Sequence, residues 1–306
     1  MKTIPSFLIS THARTDLTRI ASELYDLQRQ TSSSNKADDL KGYGSEAARI
    51  VSVRTAIAQS AARVDAANRV VSRFEIQDTA LGGAASAAAQ LKQDIFTALS
   101  SNNGSFLTDQ LNTAFQQATT ALNTTYEGVS LFTGERRDAA AVAVTSVGDI
   151  RDAQASGVLF NESARKQTAD LGVGAPVSLA DKASDVASKL YGVFGDLNEL
   201  TRNNGLGNPL TADQRNKLQA LVADIDAAHA QVVDAQGRNG DAQTRVEANI
   251  TRLTANNDLL TKHLGKLAEV DLAEVAMKLA AAQTQYQAAA SVLSKLKDMR
   301  LVNFLR

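Results

Sequence analysis

The chain has 306 residues, 44% of them hydrophobic but only 5% aromatic, with no Trp and no Cys. Lys and Arg total 32 against 33 Asp and Glu, so no bulk field draws in nucleic acid or an anionic membrane surface. The missing cysteines remove disulfides, thiolate catalysis and Cys-ligated metals together. Ala supplies much of the apolar content and there are 3 prolines, a texture that predicts long helices with narrow seams rather than an enzyme core of large side chains.

The opening Met1-Lys2-Thr3-Ile4-Pro5-Ser6 has neither an apolar h-region nor a small-residue cleavage site, so any export is expected to proceed without a cleaved signal peptide. No segment reaches the roughly 20 apolar residues that span a bilayer, and no membrane partner is expected. Ala13, Leu17, Ile20, Leu24 and Leu27 then step by four and three, as in a coiled-coil seam. Thr31-Ser32-Ser33-Ser34-Asn35 breaks it. The spacing resumes at Ile50, Val53, Ile57, Val64, Ala67, Val71, Phe74 and Leu81, is loosened by Gly82-Gly83, and recovers at Leu91 and Ile95. After the turn Asn102-Asn103-Gly104, Leu111, Phe115, Ala118 and Leu122 mark another helix.

Residues 136–190 change character. Ala141–Thr145, Val158–Phe160 and Val177–Leu179 are short β-like runs punctuated by Gly148, Gly157, Gly172 and Gly174. Helical spacing returns at Leu190, Phe194 and Leu197, and Thr211-Ala212-Asp213-Gln214 offers a capping box for the next helix. From Leu272 a heptad is sustained, with Leu272, Leu279, Tyr286 and Leu293 at one position and Val275, Ala282, Ala289 and Leu296 at the other. About thirty helical residues there would extend roughly 45 Å. A stripe that narrow needs a partner, and Ala13–Leu27 is the one at hand.

The expected fold is mainly α: an elongated antiparallel helical bundle or coiled coil of N- and C-terminal segments, with a small β-containing middle domain. Its parts are an N-terminal helical segment 1–135, an exposed insertion 136–190, and a C-terminal helical segment 191–306. Leu301, Phe304 and Leu305 supply surplus apolar surface near the tail. They join Leu17, Ile20, Leu24, Leu27, Leu272, Val275, Leu279, Tyr286, Leu293 and Leu296 as the candidate pairing and assembly residues. His12, His229 and His263 are isolated, and Asp38-Asp39 reads as a turn or helix-start carboxylate pair. With no phosphate loop, zinc-protease or nucleophile-elbow motif, neither catalysis nor a cofactor or metal is expected.

Leu24-Tyr25-Asp26-Leu27-Gln28-Arg29-Gln30-Thr31 with the Ser run and Asp38-Asp39 resembles the N-terminal pattern of the flagellin family. Val270-Asp271-Leu272-Ala273-Glu274-Val275-Ala276, then Leu279, Gln283 and Tyr286-Gln287-Ala288, with the close Leu301-Val302-Asn303-Phe304-Leu305, is similar to its C-terminal pattern. Asn35 stands where the family has Gly, and Leu40 where it has Pro or Ala. Tyr126-Glu127-Gly128-Val129-Ser130-Leu131-Phe132-Thr133-Gly134 resembles the hook–filament junction branch. The final Arg306 is more like filament flagellins, so a filament subunit is the alternative, and a soluble coiled-coil adaptor or secreted translocator stands behind both. The resemblance implies a non-enzymatic extracellular subunit that polymerises with itself. Its other implied partners are axial proteins (hook, hook-associated proteins, flagellin), the flagellar export apparatus and a chaperone.

Overall fold

The computed structural model describes residues 6–172, 176–202 and 205–304, with side-chain surroundings from 11 to 295 among them. Seven α-helices lie among the described residues: α1 Ser6–Ser33, α2 Ala47–Ser101, α3 Leu107–Leu122, α4 Ile150–Ser156, α5 Ala183–Arg202, α6 Ala212–Ala268 and α7 Leu272–Phe304. Two antiparallel strand pairs lie in the middle, β1 (Thr125–Tyr126) with β2 (Val129–Ser130) and β3 (Thr168–Ala169) with β4 (Val177–Ser178). The fold is therefore mainly helical with small sheets in the middle, as the spacing predicts. The chain divides into two compact units, one of residues 1–61 with 255–306 and one of residues 62–254.

In the second unit α2 and α6 run antiparallel. Lys92 bonds Asp226 at 2.5 Å, Gln236 donates to Asp78 at 3.2 Å, and Asn239 Nδ2 donates to the Phe74 carbonyl at 2.9 Å. Helix α2 passes unbroken through Gly82-Gly83, where a Cβ on Gly83 would sit 3.4 Å from that of Ala121, in ordinary contact. The capping box forms as spaced, with Thr211 Oγ1 accepting from Gln214 N at 3.2 Å and Gln214 Oε1 accepting from Thr211 N at 3.0 Å. Two of the helix's first N–H groups are thus satisfied.

One core cluster takes in Leu91 and Ile95 of α2, Leu111 and Phe115 of α3, Tyr191 and Phe194 of α5, and Leu218 and Ile225 of α6. Val142, Ile150 and Leu159 from the middle segment join the same cluster. Of the expected β runs, Val177–Ser178 forms β4, while 141–145 and 158–160 meet only in the isolated bridge between Val142 and Phe160. Phe115, Phe160, Tyr191 and Phe194 interlock edge to face with ring centroids 5.4–6.1 Å apart, the arrangement the ring quadrupoles favour.

The Leu131-Phe132-Thr133-Gly134 segment anchors the middle. Leu131, Phe132 and Thr133 are buried, Ser163 N donates to the Thr133 carbonyl at 2.9 Å, and Ala183 N donates to that of Phe132 at 2.8 Å. Gly134 sits at φ 64°, where a Cβ would lie 2.3 Å from the Arg165 carbonyl oxygen and 2.6 Å from Ser163 Oγ. Gly134→Ala is therefore expected to cost roughly 2–3 kcal/mol, since strain and backbone clash add. Urea denaturation of the variant measures it, and an unchanged midpoint would show that the turn can shift at no cost.

Candidate assembly surface

In the first unit the seam spacing puts Leu17, Ile20, Leu24 and Leu27 on one face of α1, and α7 lies against that face. Leu27, Val275 and Ala282 are buried together, with Leu24, Val270 and Leu279 packed around them. Ile20 is buried, and Leu17 and Leu293 are half-buried. Leu272 and Tyr286 stand at 48% and 37% exposure, because the first turn of α7 and the larger ring reach past the seam. The side chains of Leu296, Leu301 and Phe304 lie outside those described, and Leu305 lies outside the described residues altogether.

The entry to the seam is latched. Helix α1 ends at Ser33, and it is Ser34 that takes the left-handed conformation, φ 58°, beside the Asn35 that replaces the family's Gly. Val270 N donates to the Ser34 carbonyl at 3.1 Å and Lys36 N to that of Ala268 at 2.9 Å, flanking an antiparallel bridge between Asn35 and Glu269. The Lys36 ammonium donates to the Lys266 and Leu267 carbonyls at 3.0 and 2.9 Å, and so caps the negative end of α6. Arg29 Nη1 holds Asp38 at 2.8 Å, and Asp39 Oδ1 accepts from Gly42 N at 2.8 Å to cap the following 3-10 turn. Asp38-Asp39 is thus a turn-and-cap pair in the geometry observed. Asp271 Oδ1 accepts from Ala273 N and Glu274 N at 2.9 and 3.3 Å, starting α7.

The groups Asp271 caps lie two and three residues away, within one helical turn. The role of Lys36 was not legible in the sequence, because its partners lie 230 and 231 residues away. Lys36→Met is expected to cost about 1 kcal/mol, the size of a helix-end charge interaction near the surface. Faster hydrogen exchange at 268–270 measures the loss, and unchanged exchange there would mean the backbone bonds suffice alone.

The outer side of α7 carries apolar surface as well. Ala273, Ala276, Met277, Ala280, Ala281, Ala288 and Val292 are exposed, interspersed with Gln283, Thr284, Gln287 and Ser291, Met277 at 69% and Val292 at 53%. A helix that is apolar on the side away from its partner has more surface to bury than one chain covers. Lys278 bonds Glu274 at 2.7 Å and Arg19 lies 3.8 Å from both Asp16 and Glu23. The Lys278 ammonium is held charged to higher pH than usual by its hydrogen bond to Glu274, aided by the charges of Glu274 and Glu23. Among the described residues no group of three or more His, Asp or Glu could hold a metal, and no helix is long and apolar enough to cross a membrane.

Paired chain ends with an apolar outer face define a helical structural subunit. The family models of the bacterial flagellin N-terminal helical region and C-terminal helical region match residues 4–137 and 222–305. The chain belongs to the bacterial flagellin family, whose members are structural components of the flagellum rather than enzymes. Its fold is similar to that of a protein from Vibrio parahaemolyticus assigned as a flagellar hook-associated protein, with TM-score 0.59 and 16% identity over 76% of this chain and 99% of that one. It is also similar to Bacillus cereus FlgL, with TM-score 0.55 and 13% identity over 71% and 98% of the two chains. For Xanthomonas campestris FlgL the TM-score is 0.56 at 13% identity over 69% and 98%. At such identities the likeness is one of fold. No curated protein sequence matches the chain significantly.

Proposed function

We propose that this protein is the adaptor between hook and filament, a structural subunit that assembles with copies of itself through its terminal helices. The observation that carries the assembly reading is the apolar outer face of α7. Covering Leu272, Met277 and Val292 between subunits would contribute on the order of several kcal/mol per contact, at about 1.5–3 kcal/mol for each large side chain. The junction assignment is supported by the Leu131-Phe132-Thr133-Gly134 segment and by the hook-associated character given for the V. parahaemolyticus neighbour.

In this reading the pairing residues of α1 and α7 form the inner seam, and Leu301, Phe304 and Leu305 extend the contact to neighbouring subunits. Hook, hook-associated proteins and flagellin are the adjoining axial partners. The chain reaches them through the flagellar export apparatus, escorted by a chaperone, without cleavage of a signal peptide. Its place is the extracellular flagellum. N-terminal sequencing of protein recovered from flagella tests the export route, and a start beyond Met1 or Lys2 would overturn it. Removing residues 301–306 is expected to leave a folded, exported monomer that does not assemble. Flagella of normal length and number from the truncated protein would refute the tail's role.

Immunogold labelling of detached flagella with antibody against residues 136–190 tests the position. A single focus at the hook–filament boundary is the expected result. Label along the whole shaft would make the protein a filament flagellin, the reading that Arg306 favours. Absence from flagella would return it to the class of soluble coiled-coil adaptors.

A further inference from the structure

The second unit holds a trough of about 760 Å³ whose walls include Phe74 and Gln77 of α2, β4, and the face of α6 from Ala235 to Arg252. At 1.5 Å per residue that face runs roughly 25 Å. At about 3.4 Å per residue, that length matches about seven residues of extended chain.

Three features of the walls say what that chain carries. Among the described residues strand β4 pairs with β3 alone, and Val177 and Ser178 border the trough, so a further strand can lie alongside. Gln77 is 1% exposed; its Nε2 donates to the Leu179 carbonyl at 2.7 Å, and its buried Oε1 has no donor. A buried acceptor in that state favours an incoming N–H. The charges facing the trough are Lys166, Asp181, Arg238, Asp241, Arg245 and Arg252. Asp181 is consumed by Lys166 at 2.6 Å and Arg238 at 2.7 Å. Burial pushes its carboxyl up, but the hydrogen bonds and charges of those two cations prevail and hold it ionised below the ordinary carboxylate range. Arg245 has no ion pair or side-chain hydrogen bond among the described residues, and Arg252 bonds only the neutral Asn249, at 2.8 Å. With Asp241 one turn before Arg245 counted, four cations face two carboxylates, and Arg245 and Arg252 stand seven residues apart on α6.

We propose that the trough seats an extended acidic segment of another polypeptide, laid beside β4 with carboxylates on Arg245 and Arg252 and a backbone N–H on Gln77 Oε1. This goes beyond assembly through the terminal helices and does not rest on it.

The test is fluorescence anisotropy of the full-length monomer with a labelled seven-residue peptide of alternating Glu and Val. Saturable binding is expected, at least tenfold weaker in Arg245→Gln and in Arg252→Gln and weakened by salt. A peptide of alternating Lys and Val should not bind the natural chain, but should bind the Arg245→Glu, Arg252→Glu double variant. Both arginines are exposed, and thermal melts verify that the variants remain folded. No saturable binding at millimolar peptide overturns the proposal, as does equal affinity for the Lys peptide or unchanged affinity in the Gln variants. Tighter binding of oligothymidine than of the Glu peptide overturns it too, by making the trough a general polyanion site.

Discussion

Replacing Phe194 by Ala is expected to cost about 4 kcal/mol, within the usual range for deleting a fully buried aromatic ring. Phe194 is 0% exposed and its ring meets those of Phe115 and Tyr191 at 6.1 and 5.4 Å. Removing it leaves a cavity and also breaks two edge-to-face contacts of about 0.5–1.5 kcal/mol each. Against a typical total of 5–15 kcal/mol, that is a large share. The chain has no Trp, so tyrosine reports the transition. Tyr191 is buried, its hydroxyl 2.7 Å from Thr119 Oγ1, and burial pushes its phenol well above the ordinary range. In alkaline titration one tyrosine should resist ionisation until the natural protein unfolds, and should yield at lower pH in the variant. An unfolding free energy from urea denaturation within about 1 kcal/mol of the natural protein's would mean that the cluster repacks and is not the centre of this unit.

Val275→Asp is expected to abolish assembly while leaving the aromatic core intact. Val275 is 6% exposed against Leu27. The basic side chains lining the same groove, Arg19, Lys36 and Lys278, are held by Asp16 and Glu23, by the Lys266 and Leu267 carbonyls, and by Glu274. A carboxylate there loses water and must compete for an occupied cation, at a cost on the order of several kcal/mol. The α1–α7 pairing would then loosen, and the outer face of α7 would no longer be presented as one surface. The same change at Leu279 is expected to act more weakly, since that side chain is half-buried and an acid there can turn toward solvent. Val275→Ile, which keeps the seam apolar, should assemble. Sedimentation of polymer together with the Tyr191 titration separates the effects. Normal polymer from Val275→Asp would remove the seam from the assembly mechanism, and a lowered Tyr191 ionisation would show that the damage is global.

Much of this was written locally. The stripe Leu17–Leu27 and the run from Val275 place α1 and α7 because a helix repeats its faces every three to four residues. Thr211 and Gln214 form their box because both partners lie within one turn of each other. The paired-Asp turn, the cap at Asp271 and the helical class of the chain follow from the same short range. Gly82-Gly83 was misleading for a related reason: glycine's helix penalty, about 1 kcal/mol, is small beside the packing of a long helix.

The tertiary structure decided the rest, because it depends on which distant groups meet. Leu272 and Val275 share a heptad, yet one is exposed and the other buried, since the partner helix covers only part of the stripe. Lys36 becomes a cap for α6 only once the chain ends are brought together. Gly134 is required by an Arg165 carbonyl and a Ser163 hydroxyl that no local spacing reveals. The 136–190 segment supplies Val142, Ile150 and Leu159 to the common core, because short strands gain little until they can bury against helices. Periodicity determines which face of an element is apolar; only the packed chain determines how much of that face remains for another molecule.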